Sequence, residues 1–280
     1  MLKWEWRATS RLLAPLFGAA MLLTAASCAA LALTGIVPGT LARGTAGNVG
    51  GFLVGLLMAL TALGLFALII VTVVQGVLRF YRNLLGDEGY LMFTLPATPA
   101  QLIGAKLLTA GVWTLLAGLF ALLAAALMAV CAGAPSLRAG EMARLLAQSG
   151  VSGGQMAATC ALMVLLMIAG CAGSYLLLYL AMAIGAQWPA NRLAASIGAW
   201  AAMSFCLQVL GLVLAAGVGA AGVSGGWLGD FVRAAGSGTA LQLFPLLNVF
   251  FGVLLVLAAA LCTGMFFLVR WLLGRRLNLA

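Results

Sequence analysis

Residues 85–106 read LGDEGYLMFTLPATPAQLIGAK, the one interior stretch of appreciable length that combines acidic and basic residues, two prolines and a large apolar face. Asp87 is placed to cap a short helix, and Glu88 falls in its first turn, where the backbone dipole favours negative charge. Tyr90, Leu91, Met92, Phe93 and Leu95 make that helix bulky and apolar, and Pro96 ends it. Thr98-Pro99-Ala100-Gln101 has the form of a capping box, with Thr98 as N-cap, Pro99 at the first helical position and Gln101 three residues after the cap. A long apolar run follows at once. The stretch therefore predicts a short interfacial helix, a break, and the start of a membrane span.

Working outward, both flanks are apolar enough for lipid. The chain has 280 residues, 65% of them apolar and only 7% charged, with mean hydropathy +1.20. Soluble domains carry about 25% charged residues. A bilayer core about 30 Å thick needs about 20 apolar residues per helix, and the sequence supplies six such runs. The expected fold is all-α: one polytopic transmembrane domain over residues 1–280. Its spans are expected at about 12–37, 49–74, 99–131, 156–184, 193–218 and 245–271, with a cytoplasmic segment at 75–98. The first run continues past Ala25, Ala26, Ala29 and Ala30, so it reads as an anchor rather than a cleaved signal.

The net charge of +9 reads as topology, because Lys and Arg concentrate on the cytoplasmic side of membrane proteins. With both termini inside, that side holds Lys3, Arg7, Arg11, Arg79, Arg82, Lys106, Arg192, Arg270, Arg275 and Arg276. The other side holds Arg43, Arg138, Arg144 and Arg233. No basic cluster suited to nucleic acid is present. Lys3, Arg7 and Arg11 share one helical face beside Trp4 and Trp6, which suits an elbow helix on the cytoplasmic membrane surface; a frayed basic terminus is the other reading. Lys106 is placed to extend its stem to the headgroups. Gly47, Gly51 and Gly55, four residues apart, form a small-residue stripe suited to packing inside the bundle or to a homodimer seam.

The chemistry open to such a chain is narrow. It has five acidic residues, Glu5, Asp87, Glu88, Glu141 and Asp230, none within an expected span, and no histidine. A charge inside a span costs about 2.5–3.5 kcal/mol on insertion scales and usually marks an ion or proton path; that mark is missing. Paired carboxylates, a Ser/His/Asp set, HExxH and a GxxxxGK[ST] loop are all absent from the sequence. Six cysteines lie in or at the ends of apolar runs without a CxxC pair, and read as small, buried free thiols. The expectation is therefore a non-enzyme, holding no cofactor or metal of its own. Any work against a gradient must draw its energy from another subunit, and the 85–95 helix is the one evident docking feature.

The run Asp87-Glu88-Gly89-Tyr90-Leu91-Met92-Phe93-Thr94-Leu95-Pro96, with Lys106 early in the next span, resembles the cytoplasmic loop between spans two and three of ABC exporter permeases of the six-span, type-2 class. About twenty residues carry the motif; the elbow and span layout extend the resemblance over the whole topology. It implies a coupling helix seated on a separate ATPase subunit, with Tyr90, Leu91, Phe93 and Leu95 as docking face and Asp87 and Glu88 meeting basic residues or capping the helix. It also implies two ATPase copies holding ATP and Mg, a second permease, identical or paralogous, and a bacterial cytoplasmic membrane. The expected cargo is amphipathic or apolar: a peptide, lipid or drug. The chain departs from the class in showing no large extracellular domain and few polar residues in its spans.

Alternatives remain on the sequence. The 85–95 helix could lie on the membrane surface, though surface helices favour Lys and Arg on the polar face rather than an Asp-Glu start. The whole chain could be a non-transport scaffold or immunity-type protein, or an ion-coupled carrier. Within the spans, Tyr175 and Tyr179, one turn apart, could line a path or pack in the core, and Gln208 and Asn248 could meet cargo or bond between helices.

Overall fold

The computed structural model describes residues 2–36, 45–82, 98–131, 152–188, 191–224 and 240–275. Among these residues the regular structure is helical, with no strands: α1 (Leu2–Ile36), α2 (Thr45–Phe80), α3 (Pro99–Cys131), α4 (Gly153–Gly185), α5 (Arg192–Ser224) and α6 (Ala240–Arg275). Each carries an apolar segment long enough to cross a bilayer, at Lys3–Leu33, Val49–Phe80, Ala100–Cys131, Gly153–Gly185, Arg192–Leu214 and Leu247–Leu273. In lipid every backbone polar group must be bonded within its own segment, so runs of this composition have one stable form. The chain is a multi-pass membrane protein.

The N-terminus differs from expectation. Residues 2–11 are not a separate elbow; they are the first turns of α1, which continues unbroken through Pro15. The reason lies in packing that begins before the proline. Thr9 is buried, its hydroxyl donating to the Glu5 carbonyl at 2.7 Å, Leu13 is fully buried, and Trp6 stacks on Trp113 of α3 with ring centroids 4.9 Å apart. Lys3, Arg7 and Arg11 do share an exposed face.

The chain divides into two compact units, Met1–Gly76 with Leu108–Leu145, and Val77–Leu107 with Leu146–Ala280. In the first, α1 and α2 run antiparallel. Ser27 is hydrogen-bonded to Thr61, and a Cβ placed on Gly64 would lie 3.1 Å from the Leu23 side chain. The core joins Ala20, Leu65, Leu68, Ala117 and Ala124, with Phe17, Phe120 and Met128 packed against it. Close approach within this unit falls at Gly64 rather than at Gly51 or Gly55, where nothing stands within 4 Å of an added Cβ; the surroundings of Gly47 lie outside the described residues, and the homodimer seam is the use of the stripe that this leaves open. The bonded Ser27–Thr61 pair is fully buried, and interhelical bonds of this kind contribute about 0.6–2 kcal/mol in membranes. Thr61→Val should therefore destabilise the chain by roughly 1 kcal/mol, read as a lower unfolding midpoint in denaturing detergent.

In the second unit α4 and α6 run parallel. The Thr159 hydroxyl stands 2.7 Å from Asn248 Oδ1, and further along Cys262 Sγ lies 3.5 Å from the Ala169 carbonyl. The α4–α5 turn is tight: Ala186 N–H donates to Met182 O, Gln187 N–H to Ile184 O and Trp188 N–H to Gly185 O. At its base a Cβ on Gly185 would collide with Ser196 Oγ and come within 2.6 Å of Ser196 N. Glycine is thus required at 185 by the approach of another backbone.

Candidate functional site

The site indicated by the sequence centres on residues 87–96. Asp87, Glu88, Gly89, Tyr90, Leu91, Phe93, Leu95 and Pro96 lie outside the described residues. The stems that carry this segment are described on both sides, and they belong to the same unit.

On the N-terminal side the stem is the last turn of α2. Phe80 is fully buried and lies flat on Tyr179 of α4, ring centroids 3.9 Å apart and planes 7° apart. Tyr179 is itself fully buried, with Tyr175 centred 6.0 Å away. The two tyrosines therefore form an aromatic seat for the end of α2. Offset or parallel aromatic contacts contribute about 0.5–1.5 kcal/mol beyond the area they bury. Phe80 gave no signal in the sequence as a partner for Tyr179, because the two are far apart in the chain.

On the C-terminal side the stem is the start of α3, and the capping box is present. Thr98 N–H donates to Gln101 Oε1 at 3.2 Å, Gln101 N–H to Thr98 Oγ1 at 3.4 Å, and Pro99 is the first residue of α3. The carbonyl of Thr98 also accepts from Gln101 N–H and Leu102 N–H. Immediately after the cap, Leu102 and Ile103 are buried. A second capping box, Ser152 with Gln155, starts α4 three residues before the expected span. It was readable from the Ser-x-x-Gln spacing, but the intervening Gly153-Gly154 pair masks it.

Lys106 corrects the sequence reading. It is only 4% exposed, so its stem is packed in protein rather than extended to the headgroups. The physical reason is its register on α3. Buried Ile103, Ala110, Ala117 and Ala124 recur every seven residues, the spacing of a helix seam, and Lys106 falls three residues after Ile103 on that same seam.

Of the four polar span residues, Tyr175 and Tyr179 are core, and Asn248 is bonded to Thr159 between helices. Gln208 is exposed on α5, and makes no hydrogen bond among the described residues. Within the membrane-length segment of α5, Ser196 is buried against Gly185, while most of the other residues are exposed or half-buried. Among the described residues no three His, Cys, Asp or Glu side chains gather to hold a metal. The arrangement offers anchoring and packing. No protein-family model, curated protein or solved structure matches the chain.

Proposed function

We propose that this chain is the membrane-spanning permease subunit of a six-span, type-2 ABC exporter, moving an amphipathic or apolar cargo. The observation that supports this most is the mounting of residues 83–97. Both stems are seated in one compact unit, through Phe80 on Tyr179 and through Leu102 and Ile103 behind a capped helix start. A force applied to a segment held this way is delivered to packed helices rather than lost in a loose loop. Residues 83–97 act as the coupling segment, with the acid-started apolar helix at Asp87–Leu95 docked on a separate ATPase that holds ATP and Mg. α3, one unbroken 33-residue helix, transmits the stroke. At about 1.5 Å per residue it is near 50 Å long, longer than the bilayer core.

In this reading the protein sits in a bacterial cytoplasmic membrane with both termini inside, as the excess of Lys and Arg on that side favours. The first turns of α1 lie at the cytoplasmic interface, where they serve the elbow's role without a break in the helix. A second permease subunit covers α5. An exposed amide in a span is costly in lipid unless bonded, and an amide both donates and accepts, so two copies of Gln208 can satisfy each other. Gln208→Leu should weaken self-association in vesicles by roughly 1 kcal/mol, about fivefold. An unchanged monomer–dimer equilibrium would remove α5 as the seam.

The function itself is tested by affinity purification of the full chain. An ATP-hydrolysing subunit should accompany it, and the reconstituted complex should move apolar cargo only with ATP and Mg. Transport by the lone chain driven by an ion gradient, without nucleotide, would overturn the proposal.

A further inference from the structure

We infer that Cys28 and Cys131 form a redox-responsive dithiol, a site of reversible disulfide modification that ties α1 to α3. Cys28 lies on α1 and Cys131 is the last residue of α3, both in the first unit. The Cys131 side chain lies close enough to Cys28 to act on its thiol, and both are only partly buried. The parallel packing of the two helices brings these two positions to the same level. Phe17 of α1 meets Phe120 of α3 edge-on, centroids 5.8 Å apart. Moving eleven residues along each helix, about three turns, arrives at Cys28 and Cys131 on the same faces. The parallel pairing is thus set independently of the sulfur atoms.

The local packing suits a disulfide. Near this level Thr24 and Ser27 on α1 are small and buried, and Met128 on α3 is partly buried and flexible enough to give way. Packed helices lie about 8–10 Å apart with Cα atoms about 2.3 Å off each axis, so directly facing Cα atoms come to about 3.5–5.5 Å. That range overlaps the roughly 4.4–6.8 Å a disulfide spans. Elsewhere, Cys262 Sγ lies against the Ala169 carbonyl, and Cys160 and Cys206 are exposed.

The chemistry is a two-electron exchange with a disulfide-bearing oxidant. One thiolate attacks the oxidant's S–S bond, forming a mixed disulfide and releasing one thiol. The second protein thiolate then displaces the other half. Overall, two S–H bonds of the chain are lost and one S–S bond forms, while the oxidant's S–S bond opens and takes up two electrons and two protons. The product fixes the last turn of α3 to α1. The inference rests on the α1–α3 geometry and not on the transport reading.

The test uses the full chain in detergent, oxidised with oxidised glutathione, alkylated, and mapped by mass spectrometry without reduction. Two of the six thiols should escape alkylation, and one intramolecular cross-linked peptide, lighter by two hydrogens, should join the segments holding Cys28 and Cys131. Reductant should restore all the thiols, and the unfolding midpoint should be higher in the oxidised form. Cys131→Ser should abolish the link while the remaining cysteines still alkylate; should that variant fail to fold, the wild-type map decides. Full alkylation after oxidation, a persistent glutathione adduct at either position, or links between chains would overturn the proposal.

Discussion

Replacing Tyr90 and Phe93 together with alanine should abolish co-purification of the chain with the proposed ATPase subunit. Both are large apolar residues on the short segment between Arg82 and Thr98, and each is expected to fill a pocket on the partner. Aromatic anchors at the centre of an interface typically cost 2 kcal/mol or more each when truncated. The pair should therefore weaken binding by roughly 4 kcal/mol, close to a thousandfold in Kd. The measurement is a binding titration of detergent-solubilised wild type and variant against the purified ATPase, with elution volume as a check on folding. A complex of wild-type affinity would mean that the segment is not the grip. The stems make this variant informative: Phe80 and Ile103 are buried and untouched, so the change removes the docking face while leaving its mounting in place.

Gly185→Ala should be the most disruptive single substitution within the bundle. The added methyl would stand 2.6 Å from Ser196 N and 2.7 Å from Ser196 Cα, besides meeting the hydroxyl. A hydroxyl can rotate away; a backbone cannot, short of opening the α4–α5 turn. Overpacking a tight site costs about 1–3 kcal/mol and sometimes more. With backbone as the obstacle the expected loss is at the upper end, about 3 kcal/mol. Ser196→Gly should not rescue it, because the clashing N and Cα remain. Gly170→Ala, with no described atom within 4 Å of the new methyl, is the matched control and should be nearly neutral. Equal unfolding midpoints for the two variants would show that the α4–α5 approach is looser than described.

Both predictions show where sequence reasoning reached and where it stopped. The Thr98–Gln101 box was legible because a cap is a local pattern of four residues, and the structure has both of its reciprocal bonds. The Ser152–Gln155 box was equally local, but two glycines between its members gave it the look of a loop. Gly185 stood in a turn-rich run, GAQWPANR, and nothing adjacent to it announces Ser196. The Gly47, Gly51, Gly55 stripe had the stronger pattern, yet Gly51 and Gly55 meet no neighbour and the close approach occurs at Gly64. Lys106 looked like an interfacial lysine because charge and position in the span are one-dimensional facts; its burial follows from the Ile103–Ala110–Ala117–Ala124 seam.

By itself the amino-acid order determined that this is a helical, multi-pass membrane protein, roughly where each span falls, and how α3 begins. Those properties depend on the transfer of each segment from water to hydrocarbon and on bonds between residues a few positions apart. Only the tertiary structure decided that Phe80 rests on Tyr179, that Asn248 meets Thr159, and that Gly185 admits Ser196. Lipid is as apolar as the helix faces it replaces, so hydropathy does not distinguish a face that meets lipid from one that meets another helix. Shape and a few polar contacts make that choice, and they exist only once the helices lie side by side.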